Sequence, residues 1–165
     1  MIIGIDPSSL TIAVAVSTAA GKVRFTAKDD LRKRGSAWDP QKAIEVLRVV
    51  DTMLCDTIGL GDEDAVYLEA PVMGRSVLPT IVQSYVSGII QAVVSSAGSR
   101  IILVNNKQWK KTVVGNGNAK KEQTIEALRE RQPGIERLCR DDDDLYDAAG
   151  LAMFGAFTER SLPEG

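Results

Sequence analysis

Histidine is missing altogether from these 165 residues, and its absence removes more chemistry than any other feature of the composition. Without an imidazole there is no Ser-His-Asp triad, no Cys-His dyad, no histidine general base and no histidine-bearing zinc site. Cysteine is scarce: Cys55 and Cys139 lie far apart, with neither metal-ligand nor redox spacing, and read as small apolar thiols in or near the core. No continuous apolar stretch has transmembrane length, and the N-terminus lacks the ordered basic, apolar and cleavage segments of a secretory signal. A cytoplasmic protein with no membrane partner is therefore expected. Excess positive charge is also lacking: the formal net charge of −2 gives no global attraction for nucleic acid, so a DNA-binding role requires a local basic face. What remains for catalysis is carboxylates, lysines, hydroxyls or a hard metal ion.

What is present is an α/β pattern in one domain spanning residues 1–165. Strands are expected over Met1–Asp6, Thr11–Ser17 and Lys22–Ala27, joined by the short turns "DPSS" and "TAAG" into an antiparallel meander. Asp39 then reads as an N-cap with Pro40 at the first helical position, followed at helical spacing by Ile44, Leu47, Val50, Leu54 and Ile58. "AVYLEAP" is a fourth strand and "RIILVN" a fifth. Between them Val77, Ile81, Tyr85, Ile89, Ala92 and Val93 recur at helical spacing. Strand-helix-strand crossovers imply parallel pairing, so the sheet is expected to be mixed. "NAKKEQTIEALRERQ" reads as a helix with Ile125 and Leu128 inward, and "DDDDLYDAAGLAMFGAF" as a terminal helix.

Two strands end in carboxylates, Asp6 and Glu69. If these strands are parallel neighbours, both acids emerge at the carboxyl ends, where open α/β sheets place ligands. Asp144 and Asp147, spaced i, i+3, share one face of the terminal helix, although Asp143 also lies one turn from Asp147. Four converging carboxylates repel one another unless cations neutralise them, and an all-oxygen donor set selects Mg²⁺ or Mn²⁺ over zinc. Metal-assisted phosphodiester hydrolysis suits such a set. Each acid also has a plainer reading as a turn initiator, a solvated strand end or a helix N-terminal charge. "NKQWKKTVVGNGNAKK" gathers Lys107, Lys110, Lys111, Lys120 and Lys121 around a Gly-rich turn, a local basic strip able to meet phosphate. Arg32, Lys33 and Arg34 in "LRKRGSAW" add further charges for backbone contacts.

The order "IIGIDPSS", "YLEAP", "WKKTVVGNGNAKKEQ", "DLYDAAGLAMFG" resembles the RuvC family of Holliday junction resolvases over nearly the whole chain. The glycine pair with its flanking lysines is the most specific part. The opening stretch is shared with other ribonuclease H-like proteins and with actin-like ATPases, whose ATP site needs two such domains. The resemblance implies a ribonuclease H-like fold, a five-stranded mixed sheet of order 3-2-1-4-5 flanked by helices. It implies Asp6, Glu69, Asp144 and Asp147 as catalytic ligands of Mg²⁺, with Mn²⁺ able to substitute. It also implies Lys110 and Lys121 at DNA phosphate near the scissile bond, and homodimers acting on four-way junctions. "EAPVMGR" departs from the pattern, with Val72 and Met73 where relatives carry an aromatic side chain. The chain looks similar to phage-encoded members. A broader branched-DNA or flap nuclease, and a junction-binding module without catalysis, are the alternatives. Dimerisation is expected through the helix from about Ser76 to Ala97.

Overall fold

The two apolar runs of the opening meander alternate between faces because strand side chains do, and the sheet they form has helices on both sides. The structure, a computed structural model, describes residues 1–34, 38–71 and 77–161, without the side chains of Lys33 and Arg34. Strands β1 (Ile2–Pro7), β2 (Thr11–Ser17) and β3 (Val23–Asp30) are antiparallel; β4 (Ala65–Glu69) and β5 (Arg100–Val104) add in parallel on the other side of β1. The order is β3-β2-β1-β4-β5, as the resemblance implies. The third strand is longer than its sequence pattern suggests, because pairing with β2 continues through Thr11 opposite Asp30.

One face carries Ile3, Ile5, Val66 and Leu68 and is covered by α1 (Pro40–Asp51) and α2 (Val77–Ser96). Asp39 caps α1 by accepting from the Lys42 N–H at 2.8 Å, with Pro40 following it. The recurrences expected to face inward in these helices are only partly buried. In α1 the inward residues are Lys42, Val46 and Val50, while Ile44 and Leu47 are exposed. A π-helical stretch, Thr52–Ile58, continues α1 and shifts its phase, so that Met53 and Leu54 both turn inward. In α2 Val86, Ile90, Val93 and Val94 are buried, whereas Val77 and Leu78 are 70% and 74% exposed, and Ile81 and Tyr85 also face outward. Against expectation, α2 is long and apolar enough to cross a membrane, but one side of it packs on the sheet and its Gln83 donates to the Pro7 carbonyl at 2.8 Å.

The opposite face carries Ile2, Gly4, Ala65 and Tyr67 and receives α6 (Asp143–Arg160), with α3 (Asn106–Val113), α4 (Lys121–Arg131) and the short α5 (Glu136–Cys139) beside it. Neither α3 nor α5 is anticipated by sequence pattern. The docking of α6 depends on small residues. A Cβ at Gly4 would lie 2.2 Å from the Ala148 carbonyl oxygen, and one at Gly150 would lie 2.4 Å from the Trp109 ring. The helix therefore sits directly on β1, with the buried Trp109 wedged beside it.

Candidate active site

Parallel pairing of β1 with β4 ends at Ile5 opposite Leu68, and the next residues are Asp6 and Glu69. Because side chains alternate, Asp6 shares the face of Gly4, and Glu69 the face of Tyr67, so both acids emerge on the α6 side. Ala148, which closes on Gly4, is preceded by Asp147 and, one turn earlier, Asp144. The sheet order and the helix docking thus bring acids from three distant segments to one end of the fold.

Their surroundings differ. Glu69 is buried, and both its oxygens accept from the Asn106 Nδ2 at 3.0 Å while Oε2 also accepts from the Trp109 Nε1–H at 3.0 Å. Asp144 is held through Oδ2 alone, by the Thr11 hydroxyl at 2.9 Å and the Lys28 ammonium at 2.7 Å. Lys28 also bridges to Asp142, whose carboxylate caps α6 by accepting from the Asp144 and Leu145 N–H groups. Asp6 and Asp147 accept no hydrogen bond from any described residue.

Electrostatics follow these contacts. Burial pushes the Asp6 carboxyl well above its ordinary range, and Glu69, Asp147 and Asp144 push it further against the opposing pull of Lys110. Asp147 is raised to about 6, chiefly by burial, with Glu69 and Asp144 adding to the rise and Lys110 and Lys121 opposing it. At Asp144 burial also pulls upward, but the bonds from Lys28 and Thr11 outweigh it and the carboxyl lies below its ordinary value. Asp143 instead pairs with Lys121 at 2.7 Å. The donor set is all oxygen and short of positive charge, which suits a hard divalent cation. As placed, no group of three acidic or thiol side chains among the described residues stands close enough to hold an ion.

The basic strip meets the site unevenly. Lys110 projects from α3, its ammonium 5.3 Å from the centre of the Trp109 ring, and acts on both Asp6 and Asp147. Lys121 begins α4 and pairs with Asp143, and like Lys107, Lys111 and Lys120 it is exposed. The glycines of the strip are required by the path of its backbone, since Gly115 has φ +88° and a Cβ on Gly117 would lie 2.8 Å from the Lys107 carbonyl oxygen. Arg32 is exposed and paired with Asp30 at 2.8 Å, at the same end of the sheet. The Lys33 and Arg34 side chains, and Val72 and Met73, lie outside the described residues. Sequence reasoning missed Asn106, Trp109, Thr11 and Lys28, which hold Glu69 and Asp144. Only Trp109, a lone aromatic within a lysine-rich segment, offered a visible signal.

The family model described as crossover junction endodeoxyribonuclease RuvC matches residues 2–152. The chain belongs to the RuvC family. RuvC of Hahella chejuensis is 25% identical over 162 residues, covering 98% of this chain and 90% of that protein. RuvC of Ehrlichia chaffeensis is 22% identical over 161 residues, covering 98% and 99%. The solved Thermus thermophilus RuvC structure superimposes with a TM-score of 0.74 at 21% identity, covering 97% of this chain and 96% of the other. The same protein in complex with Holliday junction substrate gives a TM-score of 0.73 at 20% identity, with the same coverage. These likenesses establish the ribonuclease H-like fold, and the family is one of crossover junction endonucleases.

Proposed function

We propose that this RuvC-family chain resolves four-way DNA junctions by paired hydrolysis of opposed strands, with Asp6, Glu69, Asp144 and Asp147 as the metal-binding carboxylates. The observation that carries this reading is the convergence of Asp6, Glu69, Asp144 and Asp147 from three segments at one sheet end, where the other three all oppose the charge on Asp6. Asp6, Glu69, Asp144 and Asp147 would hold a Mg²⁺ ion, or Mn²⁺ in its place, and the bound ion would supply water activation and charge compensation at the phosphate. The remaining work falls to the protein. Asn106 and Trp109 hold Glu69, and Thr11 and Lys28 hold Asp144, at the sheet end where the acids would draw together on an ion. Asp144 rather than Asp143 is the fourth ligand, because Asp144 acts on both Asp6 and Asp147 and Asp143 acts on neither. Lys110, beside the acids, and Lys121 contact phosphate near the cut. Lys107, Lys111, Lys120 and the Arg32–Arg34 segment hold the flanking backbone. Products carry a 5′-phosphate and a 3′-hydroxyl, and the setting is a bacterial or phage-infected cytoplasm.

Symmetric cuts require two sites related by a twofold axis. The apolar side chains left outside, Ile44 and Leu47 on α1 with Ile81 and Tyr85 on α2, supply a surface for a second copy of the chain. Sedimentation across a range of concentrations tests this, and a monomer at working concentration refutes it. The primary test is cleavage of a four-way junction, a flap and a linear duplex in Mg²⁺ or EDTA by wild type and Asp6→Asn. Paired metal-dependent nicks confined to the junction and lost in the variant are expected. Preferential flap cutting indicates a broader debranching nuclease, and binding without cutting a non-catalytic module.

A further inference from the structure

At the far end of the sheet from Asp6 lies an open cleft of about 530 Å³, bounded by Lys22 in the β2–β3 turn, Arg131 at the end of α4 and Arg160 at the end of α6. Among the described residues its lining contains three cations and no carboxylate, in a chain with 22 acidic residues and 20 Lys or Arg. Both guanidinium groups are fixed before any ligand arrives. Arg131 and Arg160 flank the Phe157 ring, 5.6 and 5.0 Å from its centre. Each is also tied through Nε, Arg131 to the Val113 carbonyl and Arg160 to the Ala156 carbonyl at 3.2 Å. Those ties leave the terminal nitrogens of both guanidinium groups without an ion-pair partner among the described residues. Glu159, next to Arg160 in sequence, is taken by the Tyr67 hydroxyl at 2.7 Å and by Arg100 at 2.8 Å.

The rim is equally rigid. The Gln132 amide clamps the start of β3 by accepting from the Val23 N–H at 2.8 Å and donating to the Val23 carbonyl at 3.0 Å. Gly21, at φ +83°, turns the chain beneath it. Guanidinium forks held in place, with terminal N–H groups that meet no acid among the described residues, suit the oxygens of a phosphate. The cleft lies one strand length from the carboxylates, about 20 Å at roughly 3.3 Å per residue. Successive phosphates of one strand are about 3.4 Å apart along the duplex axis, so this span corresponds to about six base pairs.

We propose that Lys22, Arg131 and Arg160 form a second phosphate site, which grips the backbone of a duplex arm about six base pairs from the cut. This inference rests on the junction-resolving reading above and adds a contact remote from the chemistry. Its test compares wild type with the triple variant Lys22→Gln, Arg131→Gln, Arg160→Gln. The double variant Lys22→Gln, Arg160→Gln, which spares the Arg131 tie to Val113, guards against misfolding. Junction affinity is measured in EDTA against salt, with arms closed by hairpin loops after about 4 or about 12 base pairs. On long arms the triple variant is expected to bind about tenfold more weakly, with a salt slope reduced by two to three, close to one per lost cation. On short arms the variants and wild type should coincide, and cutting of short-arm junctions in Mg²⁺ should be unchanged.

Equal losses on both arm lengths, or an unchanged salt slope on long arms, overturn the proposal. Titration with inorganic pyrophosphate is the second arm of the experiment. Pyrophosphate binding that the variants lose, without any arm-length effect, assigns the cleft to a small phosphorylated ligand instead of DNA and also overturns it. Failure of wild type to bind any junction counts against the resolvase reading and takes this proposal with it. Binding by wild type with no difference in the variants counts against the cleft alone.

Discussion

Acidic side chains sit at both ends of the central sheet, yet they live in opposite electrostatic worlds. At the end where β1 begins, Asp64 pairs with the Met1 amine, and Glu159 lies between Arg100 and the Tyr67 hydroxyl. The bond from Arg100 holds Glu159 below its ordinary value despite partial burial. At the other end Asp6 and Asp147 have carboxylates for neighbours and lie above theirs. The residue types are the same and both sets are partly withdrawn from water. What separates a structural acid from a ligand-seeking one is whether the fold supplies its countercharge or leaves that to something that binds.

Removing a charge from the unneutralised end should produce the largest effect. Asp6→Asn is expected to lower junction cutting by about 10³-fold or more, since it deletes a ligand, while leaving junction binding intact. The same change should raise the thermal midpoint measured in EDTA, because a repelling charge is gone; a lowered midpoint breaks the comparison.

A pH series on metal-free protein should come next in size. Asp147, raised to about 6, keeps its proton in the folded state where the unfolded chain has already released it. The folded state therefore binds more protons between about pH 4 and pH 6, and this group should lower stability across that window by on the order of 2–3 kcal/mol, while Asp6, also held above its ordinary range, adds to the fall. Glu159 runs the other way: its contribution is present above its unfolded value and is lost as pH falls through its lower folded one. Asp147→Asn should flatten the upper decline and Glu159→Gln the acid loss. Saturating Mg²⁺ should remove the upper decline alone.

Trp109→Phe removes the N–H that reaches Glu69 while keeping an aromatic ring against Gly150. Cutting is expected to fall about tenfold, the value of roughly 1.4 kcal/mol, with junction affinity unchanged. The smallest effect belongs to the neutralised end. Arg100 is 55% exposed, so Arg100→Ala should cost less than about 1 kcal/mol in thermal or urea unfolding and leave cutting untouched. A large catalytic loss there would show that the two ends are coupled.

Much of this architecture was legible from pattern. Period-two apolar runs and short turns marked the meander, and Asp39 with Pro40 marked the start of α1 where the cap is found. Strand-helix-strand spacing implied parallel pairing and a mixed sheet, while the place of β4 beside β1, which aligns Asp6 with Glu69, came with the order that the resemblance implied. The inward faces of α1 and α2 were harder to read because both helices are apolar on more than one side. Ile44 and Leu47 fit a helical stripe as well as Val46 and Val50 do, and a π-helical insertion has no sequence period of its own. Helix α3 was hidden in a lysine-rich segment whose polar surface obscures its two buried anchors, Trp109 and Val113.

By itself, then, the sequence determined the order of the five strands and of the longer helices between and after them, the acids at strand ends and the absence of any histidine chemistry, because each is a property of neighbours along the chain. Tertiary structure alone decided which donors hold Glu69 and Asp144, which of Asp143 and Asp144 acts on the other acids, and which basic residues meet no carboxylate among the described residues. Those are properties of side chains 22 to 133 residues apart, as Lys121 with Asp143 and Thr11 with Asp144 are. Coulomb interaction depends on separation in space and on burial, and neither is defined until β1, β4 and α6 have packed.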